Sequence, residues 1–488
     1  MKIDAGRSLS EFRGAPCSRR EMLARSGMGF GGMALSYMLQ RDRLLGGASK
    51  VAAGPSLDSR PPQFAGKARA VIQLVQTGGP SQMDLFDRKP ELQRRHGQVY
   101  EVKAESFQKG SEENKLLGAH HAFRRYGKCG LELSVLLPHL GSIIDDVCLV
   151  RSMVSAHNNH TEAILMLSNG KIFPGRPTFG AWISYGLGTE NQNLPAFVVL
   201  RDPDGYATSG GFMSQSGWLP ALYGGTEFNT RGIAIHNLQP PPGVSAPSRK
   251  SDLDFLAKLN ESHRQDYPEN SELETRIRNY ELAARMQLNA ENVLDFTEET
   301  RATRALYGLD NSDPKTASYA LRCLMARRLV EAGVRFVQVF VGDGQPWDHH
   351  ANINGGLVEM CGRSDQPSAA LIKDLKSRGL LDSTIVMWAG EFGRLPVSQG
   401  GSGRDHNKFA GSLWLAGGGL RQGYAHGATD DFGYKAVDKT VTVTDLFATV
   451  LHQMGIDHQR LTYPHAGRAE SVTDAPVTGA RVHFEMVA

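Results

Sequence analysis

The sequence is poor in cysteine and contains no long hydrophobic run. Its five cysteines, spread over 488 residues, are Cys17, Cys129, Cys148, Cys323 and Cys361. They are too few and too widely spaced for a disulfide framework or a Cys-x-x-Cys zinc site. No stretch reaches the roughly 20 apolar residues that a membrane-spanning helix needs, so we expect no stable transmembrane segment.

The sequence also lacks an excess of charge of either sign. Lys and Arg number 54 and Asp and Glu number 51, which gives a net charge of +3. Such a balance does not predict a nucleic-acid partner, because phosphate backbones attract strongly basic surfaces. Hydrophobic residues make up 40% of the chain, enough for a sizeable core. A chain of this length holds two or three average domains, or one large α/β domain with insertions.

The N-terminal segment has the features of an export signal. Arg19 and Arg20 precede a glycine-rich apolar stretch, residues 27–39. This order is typical of a twin-arginine signal, and the apolar stretch is too short to span a bilayer. We therefore predict that residues 1–53 are a signal peptide for the twin-arginine export machinery, and that the protein is periplasmic or extracellular. The alternative is a chance Arg-Arg pair before a soluble amphipathic helix.

Strand and helix patterns alternate along the rest of the chain, after a linker at 54–67 that is rich in Pro, Gly and Ser. Strands are predicted at residues 70–75, 147–151, 196–200, 334–341 and 384–388, and helices at 163–167, 175–188 and 443–454. This alternation predicts a three-layer α/β/α sandwich with a central, mostly parallel sheet. We assign it to residues 68–470, with a helical insertion at about 250–333 and a C-terminal tail at 471–488.

Residues of the kind that bind metals follow several of these predicted strands. Asp84 follows the first strand, Asp348 and His350 follow residues 334–341, and Glu391 follows residues 384–388. His406 lies in a glycine-rich segment further on. Because strands of a parallel sheet end at one edge, we expect these side chains to meet there. Carboxylates and imidazoles suit zinc, manganese or iron.

Two metal positions are compatible with these residues. The segment containing Asp348 and His350 is the strongest local cluster, and His406 could supply it with another nitrogen. Asp84 and Glu391 are candidate carboxylates for a second ion, and two ions could clamp the attacking and leaving oxygens of a displacement. The alternatives are a polar loop for the first group and ordinary helix N-caps for the acidic residues.

A nucleophile is expected after the second strand, where a helix begins and its free N–H groups favour negative charge. Ser155 and Thr161 are the candidate hydroxyls, with His157 and His160 beside them. Either a hydroxyl attacks phosphorus or sulfur, or the histidines are metal ligands and water attacks. Arg394 either holds an anionic oxygen of the substrate or makes an ordinary ion pair.

Several segments together resemble a known family. They are GGPSQMDLFDRKP (78–90), LVRSM (149–153), GRPTFGAWISYGLG (175–188), MARRLVEAGVRFVQ (325–338), WDHH (347–350), GEFGR (390–394) and GRDHN (403–407). The chain resembles the exported bacterial family called domain of unknown function 1501, in the alkaline phosphatase-like superfamily that includes the sulfatases. The resemblance covers roughly residues 68–470.

The resemblance implies a metal-dependent hydrolase of phosphate or sulfate esters. It implies that Asp348, His350 and His406 bind one ion, that Asp84 and Glu391 bind another, and that Ser155 is the nucleophile. We expect one or two divalent ions per chain, zinc first, with manganese or calcium as alternatives. The expected substrate is an anionic ester, either a small molecule or an extracellular polysaccharide.

The chain departs from the superfamily pattern at three positions. Phe392 stands where the superfamily has a metal-binding histidine, and Gln82 stands where the family has histidine. Ser155 is followed by Ala156, so the Cys/Ser-x-Pro-x-Arg motif of formylglycine sulfatases is absent. We therefore expect no formylglycine chemistry. The alternative function is a non-catalytic binding or cell-surface protein that keeps the fold and one metal ion.

Overall fold

A nine-stranded sheet forms the centre of the protein. This computed structural model describes residues 55–231, 245–267, 271–289 and 291–488. The strands of the sheet are β1 (Ala70–Val75), β2 (Val147–Val154), β3 (Phe197–Leu200), β4 (Thr226–Glu227), β5 (Phe336–Phe340), β6 (Thr384–Ala389), β7 (Gly411–Ala416), β8 (Tyr424–His426) and β9 (Val441–Thr442). Their order is β8-β2-β7-β6-β1-β5-β3-β4, and β9 also pairs with β2. Only β7 runs antiparallel to its neighbours, β2 and β6.

The helices are α1 (Gln82–Leu85), α2 (Pro90–Arg94), α3 (Pro138–Gly141), α4 (His160–Asn169), α5 (Phe179–Leu187), α6 (Ala246–Asp266), α7 (Ser271–Asn289), α8 (Glu291–Leu294), α9 (Arg301–Tyr307), α10 (Pro314–Glu331), α11 (Ile353–Ser377), α12 (Val443–Gln453) and α13 (Ala475–Thr478). Short 3₁₀ turns lie at Ile144–Asp146, Gly210–Ser214, Ala221–Tyr223, Leu381–Ser383 and Phe484–Met486. None of the helices within the described ranges is both long enough and apolar enough to cross a membrane.

Within the ranges that the structure describes, four two-stranded ribbons lie outside the central sheet. They pair Phe123–Tyr126 with Leu131–Ser134, Gly393–Arg394 with His406–Asn407, Ala428–Thr429 with Ala436–Asp438, and Tyr463–His465 with Arg468–Glu470. The second of these ribbons holds the segment of His406 against the segment that follows β6.

Both faces of the sheet are covered, as a mostly parallel sheet requires. Every residue of β1 and of β6 is buried, although alternate side chains point to opposite faces. Helix α10 packs against α11 and β5. Elsewhere Phe179 of α5 stacks on Phe447 of α12, with ring centroids 4.2 Å apart. The predicted α/β class with a mostly parallel central sheet is confirmed.

The segments outside the predicted domain core also pack on it. The backbone N–H of Arg60, in the predicted linker, donates to Leu187 O at 2.9 Å. In the predicted tail, Met486 is fully buried. In the predicted insertion, Arg322 of α10 is buried and donates to Asp202 Oδ2 at 2.8 Å. The boundaries at 54–67, 250–333 and 471–488 stay predictions, and the predicted signal peptide at 1–53 lies outside the described residues.

Candidate metal centre

Four side chains with metal-binding atoms converge at one edge of the sheet. They belong to His160, Asp348, His350 and His406, and one ligand atom from each lies within 4.8 Å of the others. His160 begins α4 after β2, Asp348 and His350 follow β5, and His406 lies beyond β6. Because β2, β5 and β6 run in the same direction, their carboxyl ends bring these loops together.

Asp348 lies at the centre of the group. Its Oδ1 is 3.0 Å from His350 Nε2 and 3.3 Å from His406 Nε2, and its Oδ2 is 3.3 Å from His160 Nε2. Burial favours a higher pKa for Asp348, but the three facing histidines and the charge of Arg394 hold that pKa well below its usual range. Asp348 is therefore an ionised carboxylate facing three imidazoles.

The other ring nitrogen of each histidine donates to an oxygen. His160 Nδ1 donates to Glu391 Oε1 at 2.5 Å, His350 Nδ1 to Gln399 Oε1 at 2.5 Å, and His406 Nδ1 to the carbonyl of Asn158 at 2.6 Å. Since these oxygens only accept, each Nδ1 carries a hydrogen and the lone pair is left on Nε2. Histidines that bind metals show this arrangement, in which an outer oxygen fixes the tautomer and the ring orientation.

His160 lies between two carboxylates, those of Asp348 and Glu391. Burial lowers the pKa of His160, but the neighbouring carboxylates of Asp348 and Glu391 outweigh it and raise that pKa above its ordinary value. Its Nε2 is buried and makes no hydrogen bond to the described residues. A buried polar nitrogen without a partner is costly, and a metal ion would supply that partner. Imidazole nitrogens and carboxylate oxygens are also donors that zinc accepts. The residues therefore fit a divalent metal.

Glu391 orients His160 through Nδ1, the ring nitrogen that does not face Asp348. Glu391 is fully buried, and its two oxygens accept the N–H of Gly78 at 2.9 and 3.2 Å in addition to His160 Nδ1. Gly78 has φ of 112°, and a Cβ there would lie 2.6 Å from the backbone nitrogens of Trp347 and Asp348. Only glycine permits this approach, so the segment after β1 and the segment after β5 can both reach the site.

Arg394 holds Asp348 and is itself buried. Its Nη2 donates to Asp348 Oδ1 at 2.6 Å and to the carbonyl of Gly78, its Nε to Gly79 O at 2.9 Å, and its Nη1 to Arg404 O at 2.9 Å. The side chain is 1% exposed. All three guanidinium nitrogens are thus directed at protein oxygens, and the geometry supports a positioning role for Arg394 better than contact with a substrate.

The structure does not bring Asp84 into the group of four. Its carboxylate pairs with Arg404, with Nε–Oδ2 at 2.7 Å and Nη2–Oδ1 at 3.2 Å, and accepts Ser81 Oγ at 2.5 Å. Both charged side chains are buried. Glu391 has its own partners, Gly78 and His160. The second metal position predicted for Asp84 and Glu391 stays a prediction. Within the part of the chain that the structure describes, the group of four is the one cluster of three or more such ligands.

Phe392 forms an apolar wall beside the histidines. Its ring centroid is 4.8 Å from that of His160 and 4.7 Å from that of His406, and the side chain is buried. A phenyl ring thus packs against two candidate ligands. The wall reduces the water around the group, which strengthens electrostatic interactions there.

The predicted nucleophile lies on the loop that also holds His406. The N–H of Ser155 donates to Lys408 O at 2.8 Å, and the carbonyl of Asn158 accepts from His406. Ser155 Oγ is buried and has no hydrogen-bond partner among the described residues. His157 faces its own loop, where its Nδ1 accepts the N–H of Asn159 at 3.0 Å. The catalytic roles predicted for Ser155 and His157 stay predictions.

Three supporting residues were not anticipated from the sequence. Asn158 holds His406 through a backbone carbonyl, and Gln399 holds His350 through its side chain. Gln108 Nε2 lies 3.1 Å from His350 Nε2. Any residue type can supply a backbone carbonyl, and a lone glutamine in a polar loop has no distinguishing sequence pattern.

Glu391→Gln is expected to weaken zinc binding by about 10–100-fold, because the outer carboxylate that orients His160 is lost. Competition with a chromogenic chelator measures this change. Glu359→Gln is the matched control, since Glu359 is 65% exposed and pairs with Arg363. If Glu391→Gln binds zinc as tightly as the control variant, Glu391 does not support a metal ligand.

Comparison with known proteins identifies the family. A family model described as "Protein of unknown function (DUF1501)" matches residues 68–483. A search of curated proteins returned no significant match. Similar solved structures include the sulfatase PsFucS1 from Pseudoalteromonas sp., at 13% identity and TM-score 0.32, covering 90% of this chain and 72% of that one.

Two further structures are similar at the same level. Phosphonate monoester hydrolase SpPMH from Silicibacter pomeroyi has 12% identity and TM-score 0.30, covering 71% of this chain and 72% of that one. Alkaline phosphatase from the Antarctic bacterium TAB5 has 8% identity and TM-score 0.31, covering 81% and 99%. Similarity at this level establishes no shared activity. The family match covers most of the chain, and this protein belongs to the DUF1501 family.

Proposed function

We propose that this protein is a metal-dependent hydrolase of phosphate or sulfate esters that holds one divalent ion with His160, Asp348, His350 and His406. The observation that carries the proposal is the orientation of the three imidazoles. Each has Nδ1 hydrogen-bonded to an oxygen and Nε2 directed at Asp348. The donor set favours zinc, and manganese remains compatible with it. Calcium fits less well because it prefers oxygen ligands.

The surroundings of the site suit hydrolysis of an anionic ester. A divalent ion held there would draw electron density from an oxygen on phosphorus or sulfur, which favours attack on that atom. The chain contributes fixed positions: Glu391 orients His160, and Arg394 holds Asp348. The side chains of Asp348 and His350 are 18% and 24% exposed, so the site is open to solvent on their side.

Ser155 is the proposed nucleophile. In the first step its hydroxyl loses a proton, its oxygen bonds to phosphorus or sulfur, and the alcohol of the ester leaves with a proton. Water then splits the serine ester, which releases phosphate or sulfate and restores the hydroxyl. The unpartnered Oγ of Ser155 supports this role, because no hydrogen bond to the described residues competes with the substrate. Direct attack by water at the metal site is the alternative.

Turnover of an aryl phosphate and an aryl sulfate by the zinc-loaded protein tests the proposal. Ser155→Ala is expected to lower kcat by at least about 1,000-fold while zinc binding is unchanged. Ser412→Ala is the matched control, because Ser412 Oγ is also buried without a partner but lies on β7. Full activity in Ser155→Ala would assign the attack to water. If the zinc-loaded wild type hydrolyses neither ester, the proposed function is wrong.

We also propose that the reaction takes place outside the cytoplasm, on a small ester or on an extracellular polysaccharide. The support is the resemblance of residues 1–53 to a twin-arginine signal, with Arg19 and Arg20 before a short apolar stretch. This export route carries folded proteins, so the metal can be bound before export.

A further inference from the structure

Phe107 is a solvent-exposed aromatic ring that lies directly on a candidate metal ligand. Its ring is nearly parallel to the imidazole of His406, with centroids 5.3 Å apart and an angle of 19° between the planes. The side chain is 44% exposed. One part of the ring therefore covers His406, and the rest faces solvent beside the metal centre. Ligand sites commonly combine such exposed aromatic surface with a few fixed polar groups.

The position of Phe107 is fixed by a buried carboxylate. Asp405 is fully buried, and its Oδ2 accepts the N–H groups of Phe107 at 2.6 Å and Gln108 at 2.7 Å. Its Oδ1 accepts the N–H of His406 at 2.8 Å. One carboxylate thus joins the loop of Phe107 to the segment that carries the candidate ligand. A ring held in this way loses little conformational freedom when something stacks on it.

Gln108 provides the polar group next to the ring. Its Nε2 lies 3.1 Å from His350 Nε2, and His350 is a candidate ligand whose side chain is partly exposed to solvent. An ester bound with its anionic group at the metal centre therefore has Phe107 and Gln108 as neighbours for its alcohol part.

We propose that Phe107 determines specificity by stacking on a ring in the alcohol part of the ester, so that the substrates are ring-bearing phosphate or sulfate esters. This inference rests on the proposed function. The ring is either aromatic, which stacks on a phenyl group, or a sugar-like saturated ring, which packs its C–H groups against one. The carboxamide of Gln108 then lies within reach of polar substituents on that ring.

Binding of three phosphonates to the zinc-loaded protein tests the inference without turnover, because their C–P bond replaces the ester bond. Calorimetry is used to compare phenylphosphonate, cyclohexylphosphonate and methylphosphonate. We expect the wild type to bind at least one ring compound about 2–10-fold more tightly than methylphosphonate, the range that one aromatic stacking contact gives. Tighter binding of phenylphosphonate than of cyclohexylphosphonate identifies an aromatic ring. Binding of cyclohexylphosphonate at least as tight as that of phenylphosphonate identifies a saturated ring.

Phe107→Ala is expected to abolish the ring preference while zinc and methylphosphonate still bind, and Phe107→Trp should keep it. Phe212→Ala is the control, since Phe212 is 47% exposed and not among the ring contacts of the site.

If the wild type binds all three phosphonates equally, or Phe107→Ala keeps the preference, the inference is wrong and the proposed function stands. If zinc binds but none of the phosphonates does, the proposed function itself fails.

Discussion

Asp348→Asn is expected to abolish both metal binding and turnover. The carboxylate of Asp348 is the negative charge toward which three imidazole Nε2 atoms and Arg394 are directed. Asparagine keeps the shape but removes that charge, so we expect zinc affinity to fall by more than the roughly 10–100-fold that outer groups contribute. Turnover of the aryl esters should fall to background, because the site would no longer hold the ion.

Asp343→Asn controls for a change of charge in the same loop, because Asp343 is exposed and lies five residues before Asp348. Circular dichroism and thermal unfolding of both variants show whether the fold is kept. Arg394 retains its contacts with three backbone carbonyls in the Asp348 variant, so we expect the protein to remain folded. A folded Asp348→Asn protein with full zinc content would remove Asp348 from the metal centre.

Asp84→Ala is expected to destabilise the protein by about 3–5 kcal/mol without affecting zinc binding by the folded fraction. Removing the carboxylate leaves the charge of Arg404 buried, and its remaining partners among the described residues are the carbonyl oxygens of Leu117, Leu395 and Pro396. Denaturant unfolding measures the loss, and metal analysis of the folded protein measures the binding.

The double variant Asp84→Leu/Arg404→Met distinguishes an ion pair from a metal ligand. Apolar residues of similar volume in place of a buried ion pair restore most of the stability, because no unpaired charge remains. If Asp84→Ala instead loses metal while its unfolding midpoint is unchanged, Asp84 is a ligand and the second metal position must be reconsidered.

The location of the site could be predicted because it follows from strand order. Apolar segments such as β1 and β6 are recognisable in the sequence, and the ends of parallel strands meet at one edge. Asp348, His350 and His406 therefore lie together, as expected. Their binding of a metal stays a prediction. His160 was predicted beside the nucleophile, with a ligand role as an open alternative, and its convergence with Asp348 favours that alternative.

The position of Asp84 could not be predicted, because its partner lies 320 residues away. An acidic residue shortly after a buried strand is compatible with a metal ligand, a helix N-cap or an ion pair. The short helix α1 places Asp84 beside Arg404, and no local pattern reports that contact. The same limit applies to Gln399 and to the carbonyl of Asn158, whose partners are set by tertiary packing.

Elemental analysis of the purified wild-type protein and of Asp348→Asn tests the central claim most directly. The structure predicts one zinc or manganese ion per wild-type chain and none in the variant. A wild type without a transition metal, or a folded variant with full metal content, would contradict the metal centre and favour a non-catalytic binding protein. Two ions per wild-type chain would contradict the single site formed by His160, Asp348, His350 and His406.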